Sequence, residues 1–250
     1  MKNTTMEREL EIMYDFSLEI PTRKYVEEPS ILMHLGNIQG KKILDLACRT
    51  GHYAFLFQKH EAEKVIGVDV SPRMINLANR KKRMLEVENV TFIEKNVKSL
   101  GKLEEFDMVT SIFLLNHART EDEVRKIAEV IYENLKEDGI FLSCTFNFHH
   151  RGYIRNRYKN YKLEIIMDED DYINGSPVNI EIIPDHHGRI FITDYFMNPR
   201  IYEKVFKEVG FKSFKWIPLT ISKEGKEKFG EKYWAEYIAY PYDILIKAIK

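Results

Sequence analysis

Between residues 41 and 146 the chain alternates short apolar runs with longer amphipathic ones. An apolar run bounded by turn residues suits a strand buried on both faces, and the amphipathic stretch after it suits a crossover helix packed on one. The pattern predicts strands at Lys42–Ala47, Lys64–Val68, Val90–Glu94, Phe106–Ile112 and Ile140–Phe146, and helices at His52–His60, Pro72–Glu86 and Glu121–Lys136. Ser71-Pro72 reads as a cap followed by a proline in the first turn, where its missing N–H costs nothing. Thr120 with Glu123 reads as a capping box, and Asp138-Gly139 as a stop. Repeated strand–helix–strand units of this kind give an α/β fold with a mostly parallel sheet.

After Phe148 the pattern changes. The segment from His149 to Met197 is rich in Tyr, His and acidic residues; two β-like runs, Val178–Ile183 and Arg189–Asp194, flank Pro-Asp-His-His-Gly and read as a hairpin. A helix from Pro199 to Val209 ending at Gly210, then strands Phe211–Ile217 and Asp243–Ile249, complete the expected order. This divides the chain into an N-terminal helical cap (1–40), a core (41–148), an insertion (149–197) and a C-terminal completion of the sheet (198–250). The insertion follows the fifth strand, so it should lie at the carboxyl edge, where open α/β sheets bind ligands.

Composition narrows the partners. With 38 Lys plus Arg against 39 Asp plus Glu there is no global positive field to attract phosphate backbones, which disfavours nucleic acid. MKNTTMERELEIMYDF lacks the apolar core of a secretory signal and no later run is long and apolar enough to span a bilayer, so we expect a cytoplasmic chain without membrane contact. Cys48 and Cys144 read as reduced core residues on neighbouring strands. His149, His150, His186, His187 and the acidic run Asp168–Asp171 invite a metal reading. Adjacent histidines on a strand point to opposite faces, however, and we expect no metal site.

The chemistry concentrates where the first strand, ending Asp45-Leu46-Ala47, runs into Cys48-Arg49-Thr50-Gly51 and a helix N-terminus, a place that presents backbone N–H groups to a ligand. Asp69, in VIGVDVSPRMI, follows the second strand and is placed to accept both ribose hydroxyls of an adenosine-containing ligand, although an Asp before a helix can also be a plain cap.

LDLACRTG and VDVSPRMINLA resemble the first two motifs of class I S-adenosylmethionine (SAM)-dependent methyltransferases. FIEKNVKSL, FDMVTSIFLLNHA and EDGIFLSCTF resemble the third-, fourth- and fifth-strand motifs, and all five stand in the family's order. SPVNIEI, DYFMNPRIYEKVFKEVGFKSFKW and SKEGKEKFGEKYW resemble the bacterial small-molecule group that includes toxoflavin synthase.

The resemblance implies a Rossmann-like, seven-stranded, mostly parallel sheet with an antiparallel last pair and a substrate lid. SAM would be the cofactor, S-adenosylhomocysteine (SAH) the product, and a nitrogen, oxygen or carbon atom of a small molecule the acceptor. Asp45 and Ala47 would line the methionine half, and Gly51 would let backbone approach the ligand. Asp69 would hold the ribose, Val70 and Met74 the adenine face, Asn96 and Val97 its edge, with Phe113, Tyr14 and Tyr25 as further cofactor contacts. His117 is the candidate general base, although a lone His is more often structural. Asn116, Tyr153, Tyr195 and Trp234 are candidate substrate contacts, the aromatic ones alternatively packing the lid.

Arg49 departs from the family, which usually has Gly there. If the backbone needs positive φ, an arginine is strained by about 1 kcal/mol or more. On a compatible backbone its guanidinium would pair with the SAM carboxylate or an anionic substrate group; the alternative is that it points to solvent. Rival readings are a SAM- or SAH-binding regulator without turnover, an RNA methyltransferase, and a dinucleotide-dependent dehydrogenase, the last lacking its three-glycine turn. The sequence leaves the oligomeric state open.

Overall fold

Ile43, Leu44, Leu46, Val65 and Val68 are buried on both sides of their strands, which places those strands in the middle of a covered sheet. The computed structural model describes residues 20–150, 157–167, 170, 172–183 and 189–250. A π-helical turn, Arg23–Glu27, leads into α1 (Glu28–Leu35), followed by β1 (Lys42–Leu46), α2 (His52–Lys59), β2 (Lys64–Asp69), α3 (Pro72–Met84), β3 (Val90–Glu94) and β4 (Phe106–Ile112). Next come α4 (Glu121–Asn134), β5 (Leu135–Phe146), β6 (Leu163–Ile166), β7 (Pro177–Ile182) and β8 (Ile190–Tyr195). The chain closes with α5 (Pro199–Val209), β9 (Ser213–Ile217), α6 (Lys223–Phe229), α7 (Glu231–Ala239) and β10 (Asp243–Ile249).

The main sheet has seven strands in the order β3-β2-β1-β4-β5-β10-β9. Every pairing from β3 to β5 is parallel, and β10 runs against both its neighbours. One core cluster joins α1, α2 and part of α3 to one face, and a second joins α4 and α5 to the other. The doubly wound order switches direction between β1 and β4, so a crevice opens at their carboxyl ends.

Local signals account for most boundaries. Ser71 caps α3 by accepting from Met74 N, and Pro72 is its first residue. Thr120 accepts from Glu123 N, while the Glu123 carboxylate reaches back to Arg119 N, one residue outside the expected box. Asp138-Gly139 does not stop α4, whose last residue is Asn134; extended backbone begins at Leu135, and Asp138 sits at φ 59 inside β5. Gly210 ends α5 at φ 116. Cys48 and Cys144 are free and buried, but β4 lies between β1 and β5, so they do not sit on adjacent strands.

The inserted region forms a three-stranded antiparallel sheet, β6-β7-β8, where the sequence predicts a two-stranded hairpin. β6 is too short to announce itself, and it is fixed by pairing with β7. The sheet lays Leu163, Ile165, Val178, Ile180 and Ile182 into the same core cluster as Phe113, Phe146 and Phe148. The helices α6 and α7 have no counterpart in the periodicity reading. They pack Trp234 and Tyr237 beside the N-terminal turn. Among the described residues, no helix is long and apolar enough to cross a membrane.

Candidate functional site

The crevice is shaped by backbone that the sequence does not advertise. β1 and β4, the strands at the switch point, each run into a non-glycine residue with positive φ, Ala47 at 58° and Phe113 at 58°. Arg49 adds a third at φ 51°. Left-handed backbone at a residue with a Cβ costs about 1 kcal/mol or more and persists only where the surroundings over-determine it.

Asp69 is that over-determination for Arg49. Its Oδ2 accepts from Arg49 N at 2.9 Å and its Oδ1 from Ser71 N at 2.9 Å, so one buried carboxylate ties the turn after β1 to the turn after β2. Gly51 stands at φ 83°, and a Cβ there would lie 2.5 Å from the Phe92 ring. The missing Cβ therefore faces the core rather than the crevice, and glycine is required by backbone and packing, not by ligand approach.

A cleft of about 500 Å3 opens over these turns, bordered by Ala47, Arg49, Asp69, Val70, Met74, Asn96, Val97, Leu114 and His117. Val70, on its border, is 64% exposed and sets an apolar face beside the Asp69 carboxylate. Asn96 caps the turn after β3 by accepting from Lys98 N at 3.0 Å, so one of its acceptor positions is already used.

Beneath the cleft lie two small cavities of about 40 Å3 each. The first is bordered by Arg23, Asp45, Ala47, Arg49, Tyr53 and Phe113. The second is bordered by Arg23, Glu27, Arg49, Phe113, Ile192, Asp194 and Tyr242. Arg49 thus borders all three spaces.

The β1–β4 register sets Asp45 opposite Thr110, whose hydroxyl donates to Asp45 Oδ1 at 2.9 Å. Asp45 Oδ2 is buried with no hydrogen-bond partner among the described residues. Burial lifts this carboxyl to about 7; Thr110 opposes the rise and the Asp69 charge adds to it. Arg23 and Glu27 form a buried ion pair at 3.5 Å, and Glu27 is held above the usual carboxylate range because burial outweighs the pull of Arg23. The Tyr242 hydroxyl reaches Thr22 at 2.7 Å and Glu27 at 3.4 Å, closing the floor of the second cavity.

From the small sheet, Asp194 Oδ1 comes within 2.8 Å of His117 Nδ1, an ion-pair distance without hydrogen-bond alignment. His117 stands in a short 3-10 turn after β4 and is about half exposed, whereas Asp194 is buried.

The fold therefore gathers Ala47, Arg49, Asp69, Val70, Met74, Asn96, Val97 and His117 around one cleft, with Asp45 and Phe113 directly below it. Other expected residues lie elsewhere. Tyr25 packs edge-on against Phe229 and its hydroxyl accepts from Lys228, so it joins the turn to α6. Trp234 is fully buried, stacks on Tyr161 at 5.8 Å and donates to Gly225 O; it is packing, because the helix carrying it faces the core. The Tyr195 ring and hydroxyl are both engaged by Arg119, away from the cleft lining. Asn116 is buried, accepting from the Thr145 hydroxyl, with its amide nitrogen lacking a partner among the described residues. Tyr14 and Tyr153 lie outside the described residues, as do His186 and His187. His149 packs on Trp216 and His150 contacts Pro241 O. No group of three or more potential metal-ligating side chains occurs among the described residues.

Arg23, Glu27, Asp194 and Tyr242 enter the site without having been expected. Asp194 had a signal: in IFITDY the inward positions are Ile190, Ile192 and residue 194, so an acid stands where an apolar side chain belongs. Arg23 and Glu27 had a weaker one, a spacing of four in a helical stretch.

A methyltransferase-domain family profile matches residues 38–210. The chain belongs to the methyltransferase-domain family. A protein of Geobacillus sp. (strain WCH70) named as a methyltransferase is 40% identical over 113 residues, 44% of each chain. A tRNA U34 carboxymethyltransferase from Photobacterium profundum is 27% identical over 118 residues, 44% of this chain and 36% of its own. This chain thus spans less than half the length of these curated relatives. A SAM-dependent methyltransferase structure from Mesorhizobium loti superposes with a TM-score of 0.63 at 16% identity, covering 90% of this chain and 97% of that one, a likeness of fold. The class I methyltransferase fold is thereby shared across 90% of the chain.

Proposed function

We propose that this methyltransferase-family chain transfers a methyl group from SAM to a nitrogen, oxygen or carbon atom of a small molecule, with residues 149–197 as the lid over the acceptor. One observation carries the cofactor reading: Asp69 with the exposed Val70 face stands above a buried carboxylate oxygen, Asp45 Oδ2, that has no donor among the described residues. Leaving a buried acceptor unmet costs about 1–3 kcal/mol, and a ligand ammonium would meet it. The residues present therefore fit SAM. Asp69 would take the ribose hydroxyls on the lone pairs that Arg49 N and Ser71 N leave open, and Val70 and Met74 would cover the adenine. Asn96 and Val97 would border the adenine edge. Asp45 would take the ammonium of the methionine half and Arg23, with Arg49, its carboxylate.

Bound SAM supplies an activated methyl on a sulfonium, so what remains for the protein is to hold the acceptor in line and keep water out. The apolar walls from β6, β7 and β8 serve the second task. The likeness to tRNA-modifying relatives covers only the shared domain, and the near-zero net charge favours a small acceptor over RNA.

Calorimetry with SAH tests the cofactor, and mass spectrometry of a metabolite extract incubated with isotopically labelled SAM tests the acceptor. Label appearing in small molecules is the expected outcome. Label appearing only in tRNA, with steeply salt-dependent binding, would replace the acceptor class; SAH binding without any labelled product would leave a binding protein.

A further inference from the structure

The second small cavity is mostly apolar, yet two acids border it. Phe113, Phe146, Leu163, Ile180 and Ile182 form its walls, while Glu27 reaches it from the N-terminal turn and Asp194 from β8. Both carboxylates are more than nine-tenths buried. Each keeps one oxygen, Glu27 Oε2 and Asp194 Oδ1, without a hydrogen-bond partner among the described residues. Arg23 comes to 3.5 Å from the first and His117 to 2.8 Å from the second, ion-pair contacts that leave the hydrogen bond of each oxygen unmade. The Tyr242 hydroxyl, on the same border, faces Thr22 and the other oxygen of Glu27. Buried acceptors are costly to leave unmet, so a cavity bordered by two of them suits a donor.

The cationic groups on this border, Arg23 and Arg49, are those that the cofactor carboxylate would take. Arg49 and Ile192 border the cleft as well, so a molecule seated here stands beside the methyl donor. The volume of about 40 Å3 takes roughly three or four water-sized groups, so the part of a ligand held here is small. Building on the methyl-transfer reading, we propose that this cavity receives the acceptor and that the acceptor is an amine, a compact apolar body whose N–H donors are read by Glu27 and Asp194. A carboxylate or phosphate of the same shape would set a further negative charge against two buried acids and is rejected. An alcohol offers a single donor and no charge, so it is held more weakly.

Isobutylamine, isobutanol and isobutyrate share one apolar body and differ only at the polar end, which makes them the probes. They are titrated into the full-length protein, saturated with SAH and carrying 13C-labelled isoleucine methyls, and followed by NMR. Isobutylamine should shift the signals of Ile180, Ile182 and Ile192 and leave that of Ile131, in the other core cluster, unmoved. Its Kd should be about tenfold below that of isobutanol, and isobutyrate should shift none of them. In Asp194→Asn and in Glu27→Gln the amine should lose most of this advantage while isobutanol binds as before; an unchanged Ile131 signal shows that each variant is folded. Isobutyrate binding as tightly as the amine would overturn the proposal, as would cavity methyls that respond to none of the three, or an amine preference that survives in a folded variant. Failure of wild type to bind SAH in calorimetry would instead sink the methyl-transfer reading, and the amine preference, measured on the SAH-free protein, would then stand or fall by the same three results.

Discussion

Asp45→Asn should make the ligand-free protein more stable at alkaline pH while abolishing its hold on SAH. The folded-state carboxyl is raised from 3.8 to about 7 by burial. Between those values the folded state binds more protons than the unfolded state, so stability falls as pH rises through the window and the loss is complete above 7. At about 1.4 kcal/mol per pH unit the ionised carboxylate costs up to about 4 kcal/mol. Asparagine keeps the acceptor for Thr110 and carries no charge, but its amide nitrogen replaces Oδ2 and finds no partner among the described residues, at about 1–3 kcal/mol. The net gain above pH 8 is then about 1–3 kcal/mol, which in a chain of this size raises Tm by a few degrees.

Urea denaturation of both proteins at several pH values checks this. Glu27 and Asp243 are also raised by burial, but they are common to both proteins and cancel in the difference. Near pH 5 the variant should be no more stable than wild type, and above pH 8 it should be more stable. A stability difference independent of pH would refute the reasoning. SAH affinity should fall at least tenfold in the variant, and in wild type it should weaken as pH drops below about 7, where Asp45 takes up its proton.

Three further outcomes follow from the turns. Asp69→Ala removes the acceptor of both Arg49 N and Ser71 N, so SAH affinity should drop by tenfold or more in calorimetry and Tm should fall as well. Gly51→Ala forces a Cβ to 2.5 Å from Phe92 at φ 83°, and should destabilise by about 2 kcal/mol or more in denaturant titration. Arg49→Gly relieves left-handed strain, partly offset by the entropy glycine gains in the unfolded chain, so stability should change by less than about 1 kcal/mol. If the guanidinium binds the cofactor carboxylate, the same variant loses SAH affinity severalfold; unchanged affinity would send Arg49 to the acceptor or to solvent.

Strand order, the caps at Ser71 and Thr120, and the placement of Asp69 at a strand end are local matters, written in periods of two and three to four residues and in single capping side chains. That is why the family and the cleft's upper half are legible in LDLACRTG and VDVSPRMINLA alone. Positive φ at Ala47 and Phe113 is invisible there, because no residue type announces it, whereas at Arg49 the glycine that the family usually carries already points to it. Gly51 is legible as necessary but not for the right reason, since its neighbour Phe92 is distant in sequence. Tyr25, Trp234 and Tyr195 have the composition of binding residues, yet α6, the core and Arg119 claim them. The lower half of the site depends on tertiary structure alone. Arg23, Asp45, Asp194 and His117 come from four separate elements, and the burial that lifts Asp45 and the 2.8 Å approach of Asp194 to His117 exist only once the sheet, the N-terminal turn and the inserted strands have closed on one another.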